Sequence, residues 1–384
     1  MNVTTSESSI SNTIPKSTVY GIANLGNTCF LNVSLQILYQ CPQIDKVLKE
    51  CSVQSKRPEF EILQNWNDIK QGFKQSVVNP GKDPIVFPKG LLQAIHRVAC
   101  IRKQNLFIGN DQNDFAEFLL FFIESIHQCI CYSRDVSIQG VARNSTDMLA
   151  IKCYKMMKEM YNKEYSKLYD IFYGISVTTI EPIKKTPEGI IIDGNGKDGN
   201  MTMHSTYQHS QQIYSAVPES FFILDLPIQE SCKNIYDCLD MYTECEILEG
   251  ENAWYNEKTK RKENVKKGLS FFILPPILFL CLKRFSYDGR RKNNTPIEFY
   301  EELYMKKYYC GFHTIKQVYK LKAVCYHSGG MNYGHYTVSV EEHVSKQWFY
   351  CDDEQVIRVD LSQVMNGQIK NVYGLVYEKK LIED

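Results

Sequence analysis

Three side chains able to cooperate in nucleophilic catalysis stand far apart in this chain. Cys29 follows Gly26, Asn27 and Thr28 where leucine, valine and isoleucine begin to recur at helical spacing (Leu31, Val33, Leu35, Ile37, Leu38) until Pro42. A helix start offers unpaired N–H groups and the positive end of the helix dipole, and both favour a thiolate. A free thiol has a pKa of about 8.5 and is mostly protonated at neutral pH, so a base has to be supplied from elsewhere. Taken alone, Cys29 is equally readable as a small buried hydrophobe.

Of the 8 histidines, His96 and His127 fall within helical patterns, which suits packing or surface roles. His204 and His209 lie in a Gly-rich stretch without a cysteine or carboxylate at ligand spacing. His335 stands apart because it follows Ser328, Gly329, Gly330 and Gly334 at the mouth of an apolar segment, and a glycine there lets another backbone come close. If residues 335–340 and 348–353 pair as a hairpin, one register sets His335 beside Asp352 and the neighbouring register beside Asp353. Either carboxylate would fix the imidazole tautomer and leave the other ring nitrogen for a thiol. The bland reading of Asp352, Asp353 and Glu354 is a solvated acidic strand end.

These residues need elements to position them. Residues 1–18 are polar and are read as an unstructured tail. The pattern from Cys51 to Arg102 is mainly helical, with a Pro/Gly break from Asn79 to Pro88. Gly109, Asn110 and Asp111 supply a turn and cap, after which Phe115, Phe118, Leu119, Phe122, Ile123 and Ile126 make a helical apolar stripe. Residues 148–172 are again helical. Pro182 to Pro218, with its clustered glycines, reads as a long loop or hairpin tip. Short strand patterns follow: Ser220 to Leu226, Ser270 to Leu274, Ile277 to Phe285, Tyr319 to Tyr326, His335 to Val340, Trp348 to Cys351 and Tyr373 to Tyr377. Helices first and strands later predict an α+β protein with its site where the layers meet.

The whole composition narrows the classes further. The chain has 384 residues, 43% hydrophobic and 23% charged, which is globular. Basic and acidic residues number 44 each, so no net field attracts nucleic acid or anionic lipid. The apolar run from Leu269 to Leu282 is broken by Pro275 and Pro276 and is shorter than the roughly 20 residues of a membrane span. It reads as two buried strands around a turn. The 14 cysteines contain no C-x2-C pair. With no apolar signal segment among residues 1–18, the thiols are expected to be reduced and the protein to be intracellular, cytoplasmic or nuclear.

Residues 21–36, GIANLGNTCFLNVSLQ, resemble the cysteine box of ubiquitin-specific proteases, which are deubiquitinating thiol hydrolases. Further blocks follow in that family's order: QNDFAEF at 112–118, LPPILFLCLKRF at 274–285, His327 to Gly329 leading to Gly334, His335 and Tyr336, Trp348 leading to Asp352 and Asp353, and YGLVY at 373–377. The resemblance spans about residues 19–380 and is thin between 135 and 245. It implies a papain-like α+β cysteine protease with a right-hand thumb, palm and fingers. A single catalytic domain at 19–380 would comprise a mainly helical thumb (19–134), fingers (about 165–265, with the insert at 182–218) and palm (about 266–380). Cys29 would be the nucleophile, His335 the general base and acid, Asp352 the orienting residue with Asp353 in support, and Asn24 a donor to the oxyanion. Asn24 also reads as a turn residue. Ubiquitin, the implied partner, ends in Leu-Arg-Leu-Arg-Gly-Gly. Asp114 matches the family's tail-gripping aspartate, Glu117 is a second candidate, and Gly334 and Tyr336 would wall a channel that passes only glycine. Gly329 and Gly330 belong to a loop that can close over the tail.

Two departures stand out. The position after the tail-gripping aspartate is usually small, and here it is Phe115. Many members clamp their fingertips with zinc held by paired cysteines, but Asn256 and Thr259 occupy the positions of one pair, and neutral amide and hydroxyl groups do not replace thiolates. No metal and no cofactor is therefore expected, nor nucleic-acid or membrane binding, and the chain is expected to act as a monomer. Two other classes are compatible with these residues: a catalytically silent ubiquitin-binding module, and a protease for another ubiquitin-like modifier.

Overall fold

The computed structural model describes residues 19–75, 85–183, 213–312, 317–330 and 333–380. The first 18 residues, most of the 182–218 insert and both His204 and His209 lie outside that range. Strand β1 (Gly21–Ile22) leads through a loop into α1 (Cys29–Tyr39), followed by α2 (Pro42–Glu50), α3 (Phe60–Gln75), β2 (Ile85–Val86) and α4 (Lys89–Arg102). Pro42 ends the first helical pattern and also opens the second helix, since a proline at a helix's first position gives up no hydrogen bond. Then come α5 (Phe115–Ile130), α6 (Ser145–Lys163) and α7 (Lys167–Phe172).

Helix α1 is buried along its length from Cys29 to Leu38, as expected of a helix apolar on most faces. It packs between α5 and the large sheet, with Phe30 meeting Phe118 edge to face at 5.2 Å. The predicted stripe of α5 is the core of this half, where Phe118, Leu119, Phe122, Ile123 and Ile126 are fully buried. Its cap, however, is Asp114 rather than the 109–111 turn.

Two sheets follow. The first contains β3 (Gly174–Pro182), β4 (Ser215–Phe221), β6 (Glu246–Leu248) and β9 (Val265–Ile273), in the order β4-β3-β9-β6. Residues 215–218, read from sequence as the end of a long loop or hairpin tip, are strand. Pro218 is tolerated because β4 is the edge of this sheet, where a missing donor costs no ladder bond. The second sheet contains β5 (Ile223–Pro227), β10 (Ile277–Lys283), β11 (Glu302–Tyr304), β12 (Val318–Gly329), β13 (Gly334–Glu341), β14 (Trp348–Asp352), β15 (Gln355–Val359) and β16 (Val372–Lys379). Its order is β15-β14-β13-β12-β16-β10-β5, with β11 on β12.

Pro275 and Pro276 fall between β9 and β10, so the predicted turn also carries the chain from one sheet to the other. Sheet membership thus cuts across the expected 165–265 and 266–380 segments, because β5 joins the larger sheet and β9 the smaller. Helices α8 (Ile235–Tyr242) and α9 (Leu361–Gly367) and the hairpin of β7 (Trp254–Asn256) with β8 (Arg261–Glu263) complete the chain. Among the described residues no helix is long and apolar enough to cross a membrane.

Candidate active site

The groove between the helical half and the larger sheet has a volume of about 440 Å³ and is lined by Cys29, Asp114, Glu117, Asp225, Gly334 and Tyr336, among others. Cys29 is the first residue of α1. Gly26 (φ +100°) and Asn27 (φ +54°) hold left-handed backbone in the loop before it, a conformation that glycine and asparagine adopt at low cost. Thr28, at the cap position, gives no side-chain hydrogen bond to the helix. Its hydroxyl instead accepts from the Leu25 N–H at 2.9 Å and donates to Asn24 Oδ1 at 3.2 Å. The N–H groups beside Cys29 are left without a side-chain cap, and no acidic residue stands in the first turn.

The His335 imidazole neighbours the Cys29 thiol, which is the largest influence on its pKa. Its Nε2 lies 2.7 Å from Asp352 Oδ1, which leaves Nδ1 for the sulfur. The Cys29 thiol, supported by Asp352 and opposed by partial burial, raises the pKa of His335 from 6.5 to about 9. Both expected registers are corrected. The β13–β14 ladder runs from Glu341↔Trp348 to Val338↔Cys351 and stops, so His335 lies directly opposite neither aspartate. Continued, that register sets Asp352 against Thr337, on the same face as His335 and diagonal to it, within reach of a side chain.

Asp353 takes a left-handed conformation (φ +48°) and turns to the thumb. Its Oδ2 accepts from Asn24 Nδ2 and its Oδ1 from Asn32 Nδ2, both at 2.8 Å. Its carbonyl accepts the Ile22 N–H at 2.9 Å. Asp353 therefore joins the cysteine loop to the sheet and makes no hydrogen bond to the imidazole. Asn24 Oδ1 accepts from the Gly26 and Thr28 N–H groups at 3.0 and 3.2 Å, so Asn24 shapes the turn with its oxygen while Asp353 holds its amide.

Along the groove, Asp114 Oδ1 caps α5 by accepting from the Ala116 and Glu117 N–H groups at 2.7 and 3.1 Å. Its Oδ2 accepts from the Tyr336 hydroxyl at 3.2 Å and from the Tyr373 hydroxyl. Burial and then the charges of Asp114 and Asp225 raise the pKa of Glu117. Burial also raises Asp225, with Asp114 adding to it and Lys283 opposing. Gly334 cannot be larger, because a Cβ would sit 2.0 Å from His327 Nε2. Gly329 has φ +89°, and a Cβ there would meet the Tyr333 carbonyl at 2.4 Å. The Phe115 departure is answered by Gly374 of β16, where a Cβ would lie 3.0 Å from the Phe115 ring.

Sequence reasoning assigned no role to Asn32, Asp225 or Gln112. Asn32 is a polar residue inside an apolar helix run, a signal that was available; Asp225 and Gln112 acquire theirs from contacts remote in sequence. Arg284, also in a recognised block, is buried and donates to the carbonyls of Val372, Asn293 and Thr295 at 2.6, 2.9 and 2.9 Å. Burial lowers its pKa to about 10. It braces loops behind the groove. His127 is buried against Ser166 at 2.8 Å, as its helical position suggested. At the fingertip, Asn256 Nδ2 and Thr259 Oγ1 donate to Glu263 Oε1 at 3.0 and 2.5 Å.

A thiol at an uncapped helix start, facing an imidazole set by a carboxylate across a helix–sheet groove, defines a papain-like α+β protein of the right-hand type. A family model described as ubiquitin carboxyl-terminal hydrolase matches residues 20–377, and the chain belongs to that family. Ubiquitin C-terminal hydrolase 12 of Arabidopsis thaliana is 33% identical over 341 residues, 84% of this chain and 28% of the relative. Ubiquitin carboxyl-terminal hydrolase 10 of Xenopus tropicalis is 25% identical over 399 residues, 94% of this chain and 47% of the relative. The chain thus spans less than half the length of these curated relatives. A solved structure of the SAGA DUB module, with Ubp8, Sgf11, Sus1 and Sgf73 bound to monoubiquitin, matches with TM-score 0.66 and 21% identity, covering 96% of this chain and 70% of that one.

Proposed function

We propose that the chain is a cysteine-type deubiquitinase, hydrolysing the isopeptide, ester or peptide bond after the C-terminal glycine of ubiquitin through an acyl-enzyme. The observation that carries this reading is the juxtaposition of Cys29 with His335, itself hydrogen-bonded to Asp352, opening on an acidic groove. Cys29 Sγ attacks the scissile carbonyl carbon, and the electron pair moves to oxygen. The oxyanion is stabilised by the uncapped N–H groups of α1 and by Asn24 Nδ2, whose other hydrogen Asp353 holds. As the C–N bond breaks, His335 delivers its proton to the leaving amine. Water then attacks the thioester, His335 takes its proton, and ubiquitin leaves with a free carboxylate. Asp352 holds the ring in register throughout.

Asp114, Glu117 and Asp225 offer negative charge to the arginines of the ubiquitin tail, while Gly334 and Tyr336 wall the path of its two glycines. The reading takes residues 19–380 as one catalytic domain. It has the chain act as a monomer without metal, cofactor, membrane or nucleic acid, in the cytoplasm or nucleus where conjugates form. Incubation with ubiquitin carrying a C-terminal electrophile, followed by site mapping, is expected to label Cys29 in the native chain and nothing in Cys29→Ala. Turnover retained by Cys29→Ala, or labelling only by another modifier's tail, defeats this assignment.

A further inference from the structure

We propose that Gln112 is a positioning residue for His335: its side-chain amide stands in for a missing strand partner and holds the histidine's strand at a fixed distance from the cysteine loop. The inference rests on the proposed thiol chemistry. Gln112 Nε2 donates to the Gly334 carbonyl at 2.7 Å, and the Gly334 N–H donates to Gln112 Oε1 at 2.8 Å. That reciprocal pair is the pattern two residues exchange across an antiparallel ladder, made here between positions 222 apart in sequence.

The strand end needs such a partner. On one side β12 pairs with β13 through Ser328↔His335 and Gly329↔Gly334. On the other side β14 reaches only as far as Val338, so Gly334 takes its outer amide bonds from Gln112. Gly334 has no side chain of its own to anchor it, since a Cβ would strike His327. The loop bearing Gln112 is tied to the other catalytic half as well. Two residues earlier, the Asn110 carbonyl accepts from Asn27 Nδ2 at 2.8 Å, in the left-handed loop that delivers Cys29. One short span of backbone therefore touches both the nucleophile's loop and the base's strand. One N–H and the oxygen of the Gln112 amide are both engaged by Gly334, which fixes the side chain against the base's strand.

The test uses the full chain with Gln112→Met, which keeps the length and removes the amide, and Gln112→Glu, which keeps an acceptor for the Gly334 N–H but sets an oxygen against the Gly334 carbonyl. Misplacing a catalytic group by an ångström costs up to about a hundredfold in rate. Hydrolysis of a ubiquitin C-terminal fluorogenic amide is expected to lose about ten- to a hundredfold in kcat in both variants, with KM changed less than about threefold. A second readout needs no ubiquitin. NMR titration of the His335 imidazole is expected to move in Gln112→Met from about 9 toward the ordinary histidine value, while the added carboxylate of Gln112→Glu opposes that fall. Native kcat and an unchanged His335 titration in folded Gln112→Met would overturn the proposal, as would a rise in KM alone. If the native chain proves inert toward ubiquitin while the His335 titration still depends on Gln112, the substrate assignment fails and the clamp stands.

Discussion

Helices α1 and α5 begin at the same groove and finish their N-termini in opposite ways. Asp114 closes α5 by accepting from the N–H groups of Ala116 and Glu117, with Glu117 adding an acidic side chain in the first turn. Helix α1 has no side-chain cap and no acid in its first turn, because the Thr28 hydroxyl is spent on the loop. A missing cap costs about 0.5–2 kcal/mol. In the proposed chemistry, the positive end that goes uncompensated lies beside Cys29 and the developing oxyanion. One helix is finished as scaffold, and the other is left open as reagent.

The sharpest break of this contrast is at the open end. Asn24→Ala removes the donor that Asp353 aims beside α1. Loss of one such donor raises the barrier by about 3–4 kcal/mol. The expected outcome is a kcat reduced about a hundred- to a thousandfold on a ubiquitin C-terminal fluorogenic amide, with KM little changed. A loss confined to KM would mean that the α1 end binds ground-state substrate rather than the oxyanion.

Asp352→Ala tests the base facing that end. Cys29 first, with Asp352 in support, raises His335 to about 9. For a group raised on folding, the stabilisation is full below its unfolded pKa of about 6.5 and is lost as pH rises through the folded value. The native chain should therefore keep its imidazolium, and its activity, up to about pH 9. In Asp352→Ala the alkaline limb of the kcat profile should shift to lower pH. An unmoved limb would assign the orienting role elsewhere.

Asp114→Ala opens the closed end. It removes an N-cap worth about 1 kcal/mol and strips the Tyr336 and Tyr373 hydroxyls of their shared acceptor. Burial keeps both phenols protonated donors, so each needs a partner. Thermal unfolding should fall by several degrees and KM should rise, while kcat at saturation changes far less than in Asn24→Ala. Equal losses of kcat in the two variants would erase the distinction between scaffold and reagent.

The two ends also differ in how far they could be read beforehand. Cys29, His335 and the α5 stripe are local patterns of residue type and spacing, and the fold keeps them. The choice between Asp352 and Asp353 was not legible, because it depends on where the β13–β14 ladder stops, and a slip of one residue exchanges the faces of a strand. Asn32 and Gln112 stood inside recognised blocks, yet their roles come from partners 321 and 222 positions away. Phe115 read as a departure until Gly374, brought beside it by the sheet, supplied the space. Helices α8 and α9 are too short for periodicity to detect, and β15, as long as β14, lacks strict alternation from Gln355 to Val359.

The smallest effect is expected far from both helices, at the fingertip. There Glu263 Oε1 accepts from Asn256 and Thr259 at 3.0 and 2.5 Å and also hydrogen-bonds the Tyr214 side chain, whose ring stacks on Trp254 at 6.0 Å. Side-chain hydrogen bonds of this kind contribute about 1 kcal/mol each, and less where water can replace the partner. Glu263→Ala should loosen the β7–β8 hairpin, visible as faster amide hydrogen exchange there, with kcat unchanged within about twofold. Because these donors and acceptors satisfy one another without a thiolate, a strong chelator should leave exchange at the tip as it was. Chelator-induced loosening would mean that an ion held at this carboxylate, rather than at cysteines, completes the hairpin.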